Sequence, residues 1–213
     1  MARNNSVKGN FHYNKVEKMN KNFMYNNLAR SNCYGSSFAG SNFNFVSFRG
    51  AHFKSCDFYG CTFRSAEFIG TNLKNSKFRH AKFDNTLFEE VNLDGVDFRD
   101  AEFKDVIFVG CDLSKCTNLA IDALNVTVYE EMPQLNISEE LEAAIKNAMT
   151  NKFIKASRVL DMKDGSINPI KIAILQDKYS EEVLVKGFND MAEEIDRDFH
   201  TLSYLIRFFK TEN

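Results

Sequence analysis

Five cysteines and four histidines are the residues from which this sequence could build a metal centre or a nucleophile. Cys56 and Cys61 lie five apart, as do Cys111 and Cys116, while Cys33 stands alone. Thiolates at short intervals are potential metal ligands. His12, His52, His80 and His200 are widely separated and fit no metal-ligand spacing or nucleophile-base pattern. The glycine-rich segment Gly35 to Gly40 lacks the Lys-Ser/Thr that follows a phosphate loop. No catalytic constellation emerges, and the cysteine interval turns out to be the period of the surrounding chain.

Phe48, Phe53, Phe58, Phe63 and Phe68 recur every fifth residue. Five steps of ~100° scatter side chains around a helix, and an odd spacing alternates them between the faces of a strand. All can share one interior only if the chain turns a corner about once per repeat. The same phase runs from Phe23 to Leu113, and of its 19 positions 14 are Phe and four are Leu. The predicted core is Phe43, Phe48, Phe53, Phe58, Phe63, Phe68, Leu73, Phe78, Phe83, Phe88, Leu93, Phe98, Phe103 and Phe108. Two residues earlier the side chain is small, as at Ser41, Ala51, Cys56, Cys61, Ser76 and Ala81. The paired cysteines are therefore expected as packed, reduced thiols at a second inward position. Two residues after the large one stands Gly35, Gly40, Gly50, Gly60, Gly70, Gly95 or Gly110, which suits a turn at positive φ. A fixed period of this kind is the signature of a solenoid.

The units AHFKS, AEFIG, TNLKN, VNLDG and AEFKD approximate the order small, Asn/Asp/Ser, Leu/Phe, then two variable residues, with His or Glu at the second position of three of them. This resembles the pentapeptide-repeat family over residues 21–119. The resemblance implies a β-solenoid, a right-handed quadrilateral β-helix with four units per coil. Nineteen units then make about five coils and a rod about 23 Å long. Residues 1–20 are expected to cap its N-terminal end, because the phase breaks before Phe23. Residues 120–137 read as a linker or end cap, in which Leu124, Val126 and Val128 alternate like one more strand.

Residues 138–213 change period to that of a helical domain. Leu141, Ala144, Ile145 and Ala148 follow helical spacing behind an N-cap at Ser138. From Ser180 the stripe Leu184, Phe188, Met191, Ile195, Phe199, Leu202, Ile206 and Phe209 steps by three and four, predicting a helix of about 30 residues with a near-heptad face. That face either packs within the chain or forms the seam of a homodimer.

The chain of 213 residues is 44% hydrophobic and carries a formal charge of −2, as expected for a soluble protein of one or two domains. No signal peptide or apolar membrane-spanning run is legible, which predicts a cytoplasmic location. Charge divides along the repeat. Residues 49–82 carry seven Lys/Arg against two acids, whereas residues 84–112 carry nine acids against Arg99 and Lys104. The acidic candidates are Asp84, Glu89, Glu90, Asp94, Asp97, Asp100, Glu102 and Asp105. Ile69, Leu87, Ile107 and Val109 occupy outward positions where polar residues are expected, predicting an apolar packing or interface patch.

These features point to a non-enzymatic protein-interaction scaffold, homodimeric through the C-terminal helices, without cofactor or metal. The family resemblance adds an alternative: some bacterial pentapeptide-repeat proteins mimic DNA and bind gyrase or topoisomerase IV, inhibiting it or protecting it from quinolones, and the acidic coils are where such mimicry would reside. Direct nucleic-acid binding by Arg64, Lys74, Arg79 and Lys82 is not expected, for want of aromatics interleaved on the outside.

Overall fold

In the computed structural model, residues 11–122 and 125–209 are described. They divide into two compact units, with the boundary between Glu131 and Met132.

The N-terminal unit is a β-solenoid of parallel sheets. Every fifth residue from Lys15 to Gly110 has positive φ. Between these corners each pentapeptide supplies one short wall, as a three- or four-residue strand or a single bridge. Seven of the corners are glycine, which adopts this conformation without the steric penalty a Cβ brings. Walls stack in a register of 20 residues. His12–Asn14 (β1) pairs with Asn32–Tyr34 (β2), which pairs with His52–Lys54 (β3). Thr62–Arg64 (β4), Lys82–Asp84 (β6) and Glu102–Lys104 (β8) form a second sheet. Glu67–Ile69 (β5), Leu87–Glu89 (β7), Val106–Val109 (β9) and Val126–Tyr129 (β10) form a third. A fourth side consists of single bridges through Glu17, Ser37, Asp57, Lys77, Asp97 and Thr117.

The repeat's residue preferences now have causes. The Asn or Asp before the large residue accepts a hydrogen bond from the N–H two residues on, at 2.9 to 3.1 Å, in Asn22, Asn27, Asn42, Asp57, Asn72, Asn92 and Asp97. This side-chain turn pre-forms the corner. The small inward position also bonds to the coil below. Ser76 Oγ donates to Phe53 O and accepts from Cys56 N, Thr71 Oγ1 donates to Phe48 O, and Cys61 Sγ donates to Phe38 O at 3.1 Å.

The large residues fill the interior in stacks. Phe43, Phe63, Phe83 and Phe103 lie ring on ring at 5.4, 5.0 and 5.3 Å, with interplanar angles of 6, 11 and 7°. Phe48, Phe68, Phe88 and Phe108 repeat the arrangement at 4.5 to 4.7 Å. Neighbouring stacks meet edge to face, as at Phe63–Phe58 and Phe63–Phe78. Every residue of the predicted core is buried except Phe103, which is half-buried on β8, the last strand of its sheet among the described residues.

The ladder is longer than the sequence implies. It reaches from His12 to Tyr129 in about six turns rather than five. Residues 11–20, expected as cap, already follow the coil: Tyr13 holds the large position, and Lys18 lies over its ring at 5.0 Å. Neither residue type announces the repeat, so the five-residue phase is not legible in the sequence there. Residues 1–10 and Leu124 lie outside the described residues.

In the C-terminal unit, Glu139–Ala148 (α1), Lys152–Ser157 (α2), Pro169–Gln176 (α3) and Glu181–Glu194 (α4) pack around a second core, with a 3₁₀ segment at Leu202–Phe208. Ser138 and Ser180 accept from Leu141 N and Val183 N, capping α1 and α4. The helix expected to run on from Ser180 stops at Glu194. Ile195 leaves the helical region at ψ 114°, and Asn151 Nδ2 donates to Ala192 O and Ile195 O, satisfying carbonyls that a longer helix would bond. The chain folds back so that Phe209 meets Phe188 edge to face at 5.1 Å. Gly187 permits this approach: a Cβ there would stand 2.5 Å from Phe209 Cδ1.

Candidate interaction surface

Because the register is 20 residues, outward side chains line up in columns whose members can be found by subtraction. The basic coils sit one turn below the acidic ones and pair with them. Arg64 Nε lies 3.0 Å from Asp84 Oδ2, Lys74 Nζ 3.5 Å from Asp94 Oδ2, His80 Nε2 3.6 Å from Asp100 Oδ2, and Lys82 Nζ 3.0 Å from Glu102 Oε1. Lys115 adds contacts to Asp94 and Asp112. Partial burial opposes ionisation of Asp84, but hydrogen bonds from Arg64 and Asn85 outweigh it and hold the carboxyl below its usual range. Asp97 is likewise low, with burial overcome by hydrogen bonds from Asn118 Nδ2 and Arg99 N.

Of the remaining acidic candidates, Glu89 is buried, while Glu90 and Asp105 are exposed corner residues. The two charged halves are thus stitched together, and the eight acids do not make one continuous negative surface.

Ile69, Leu87 and Val109 share the face of β5, β7 and β9, and all three are buried; Ile107 is half-buried. Two carboxylates of that face, Glu67 and Glu89, are also buried. In the C-terminal unit, Leu184, Phe188, Met191, Ile195, Phe199 and Leu202 are buried in its own core, and Ile206 packs partly buried against it. The stripe expected as a dimer seam is therefore spent inside the unit. A separate cavity of about 150 Å³ there is lined by Met149, Ile154, Lys155, Leu160, Asp161 and Gly165, with Arg158 Nε 2.6 Å from Asp161 Oδ2 at its edge.

The thiols are turned inward. Burial pushes Cys33 up to about 11 and Cys56 and Cys61 up to about 12, which withholds the thiolate that metal binding or nucleophilic attack needs. Among the described histidines, His12 and His52 stand on one outward column, two coils apart.

What the sequence reading missed is a set of exposed aromatics. Tyr25, Tyr34 and Tyr59 are each about half exposed, at 51, 49 and 47%. Tyr25 stacks on Phe45 at 4.9 Å, with both residues at positive-φ corners. Tyr59 meets His80 edge to face at 5.2 Å and lies in an outward column with Met19, Ala39, Arg79 and Arg99, held by bonds from Asn20 N, Gly40 N, Gly60 N and His80 N to the next coil. The expectation that the outside lacks aromatics is corrected: Tyr59 falls within the basic coils, and its column could have been read once the register was known.

The repeat is also matched in known proteins. Family models described as pentapeptide repeats match residues 22–62 in one case and residues 56–95 and 81–117 in another. No curated protein matches the chain. Among solved structures, HetL from the cyanobacterium Nostoc sp. strain PCC 7120, a pentapeptide repeat protein involved in heterocyst differentiation regulation, is similar at 16% identity and a TM-score of 0.28. The match covers 48% of this chain and 46% of HetL. A pentapeptide repeat protein of the Arabidopsis thaliana thylakoid lumen is similar at 19% identity over 46% of this chain and 69% of that one, with a TM-score of 0.29. A form of QnrB1, a plasmid-mediated fluoroquinolone resistance protein, is similar at 19% identity over 55% of this chain and 80% of that one, with a TM-score of 0.24.

Proposed function

We propose, from the premise that residues 22–117 of this chain are a pentapeptide-repeat domain, that the protein is a non-enzymatic scaffold whose solenoid binds a protein partner. The observation that carries this reading is the consecutive run of Tyr59, Arg79 and Arg99 on one outward column, with Met19 two coils below Tyr59 across Ala39. Tyrosine and arginine are the residue types that most often anchor protein interfaces, and methionine adapts to irregular partners. A rigid wall presents them without the ordering cost that a flexible loop would incur on binding. The reading does not rest on a homodimer, since the stripe expected to form one is occupied within the C-terminal core.

The test is affinity capture with the full chain, comparing wild type with Tyr59→Ala and Arg79→Ala. A single protein recovered in stoichiometric amount by wild type and lost with either variant supports the scaffold. Recovery that is indifferent to both changes refutes this face.

DNA mimicry requires acids that are free to meet a cationic groove. Three of the eight candidates are paired with Arg or Lys across coils, a fourth faces His80 and a fifth is buried, which favours the scaffold over the mimic. Gyrase supercoiling in the presence of a stoichiometric amount of this protein separates the two: the scaffold reading expects no inhibition.

A further inference from the structure

We infer that a second face of the solenoid, centred on Tyr34, binds single-stranded nucleic acid. Tyr34 ends β2 and stands in register between Asn14 and Lys54. Its ring is exposed, which is the platform on which an unstacked base can lie. Three cations share its wall and corners. Lys54 is the next residue up the column, while Lys15 and Arg30 occupy the two corners that border the wall. Both corners continue into glycine one coil above, at Gly35 and Gly50. There the Lys15 stem passes 3.5 Å, and the Arg30 stem 3.9 Å, from where a Cβ would stand. The stems of both cations therefore run along the rod at the two corners that border the wall of Tyr34.

This strip differs in kind from the basic coils above it. Arg64, Lys74 and Lys82 are each committed to an acid one turn away. Among the described residues, Lys15, Arg30 and Lys54 make no ion pair. No carboxylate occurs on the wall or on its two corners before Glu90 and Asp94. The other outward residues between the cations are uncharged or weakly basic hydrogen-bonding groups, Asn32 and His52, able to meet base edges or phosphate. From the coil of Lys15 to that of Lys54 is about 10 Å, two strand spacings. Phosphates held by three cations with a base on the ring between them is the chemistry of single-strand binding. A duplex keeps its bases stacked and would leave Tyr34 unused. The strip is independent of the protein-contact column at Tyr59.

The test is fluorescence anisotropy of a labelled oligouridylate of about twelve nucleotides, a length within the site sizes of single-strand binders, titrated with the full chain over a range of salt. The expected result is saturable binding at low salt, weakening as salt rises with a logarithmic slope near −2, from three phosphate contacts at about 0.7 each. Tyr34→Ala should weaken binding about tenfold and leave the slope unchanged. The combined Lys15→Gln, Arg30→Gln, Lys54→Gln variant should flatten the slope towards zero. All four positions face outward, and circular dichroism verifies the fold of each variant. Absence of saturable binding at low salt overturns the inference, as does binding that is indifferent to Tyr34→Ala. Displacement of the RNA by a sulfated oligosaccharide as effectively as by unlabelled RNA would also overturn it, in favour of a general polyanion site.

Discussion

Phe63→Ala tests whether the solenoid stands on its stacked interior. The Phe63 ring is fully buried, lies flat between Phe43 at 5.4 Å and Phe83 at 5.0 Å, and meets Phe58, Phe68 and Phe78 at 5.5 to 5.8 Å. Removing a buried phenyl from a core costs ~3–5 kcal/mol, and aromatic pairs add ~0.5–1.5 kcal/mol beyond burial, so this site belongs at the upper end, about 5 kcal/mol. Phe103 offers an internal comparison. It is half-buried, has a flat neighbour only below, at Phe83, and should cost about 2 kcal/mol on replacement by alanine. Because each coil touches only its neighbours, the loss at Phe63 should also weaken the coupling between the two ends of the rod. Guanidinium denaturation followed by circular dichroism reads the cost, and hydrogen exchange of the ladder amides reads the coupling; the chain has no tryptophan to report by fluorescence. Equal costs at Phe63 and Phe103, or a cost at Phe63 below about 2 kcal/mol, would refute the stacked-core argument.

Gly187→Ala should destabilise the C-terminal unit by ~1–3 kcal/mol, because the new Cβ meets Phe209 Cδ1 at 2.5 Å and outweighs the ~1 kcal/mol gained in helix propensity; a higher melting temperature of the helical signal would count against it. Alkaline pH should weaken the solenoid. Cys56 and Cys61 titrate near 9.0 when unfolded but about 12 when folded, so their contribution is complete below pH 9 and is lost as pH rises towards 12. Cys61→Ala should flatten that limb of the pH profile, and an unchanged profile would contradict the burial argument. A double-mutant cycle on Arg64 and Asp84 should give a coupling of ~0.2–1 kcal/mol that shrinks with salt, since the arginine side chain is 62% exposed; several kcal/mol, or no salt dependence, would show that the pair does more than hold register.

The solenoid was legible because its signal is repeated at one position through most of the ladder: a phenylalanine every fifth residue excludes both a helix and a flat strand. Its first coil was not, since Tyr13 and Lys18 hold the large position without looking like the residues that hold it elsewhere. The charge division was visible, but its meaning depended on a register that turns two opposed halves into i to i+20 pairs such as Lys82 and Glu102. Aliphatic outward residues break a hydropathy rule within the sequence itself, whereas tyrosines pass as ordinary surface. They matter only when Tyr34 and Tyr59 are seen with the cations beside them. The failed helix beyond Glu194 has a different cause. Leu184 through Ile206 keep helical spacing in sequence, yet a side-chain amide from Asn151 satisfies the terminal carbonyls and frees the chain to turn back. Such a long-range cap leaves no local trace.

The measurement that addresses the scaffold most directly is site-specific photocrosslinking in cells of origin, with a benzophenone side chain placed at Tyr59 in one version of the full chain and at Lys104 in another. Both positions are exposed on the solenoid, on different faces. The account predicts one discrete crosslinked protein from position 59 and none from position 104. The same product from both positions, or none from position 59, would contradict it.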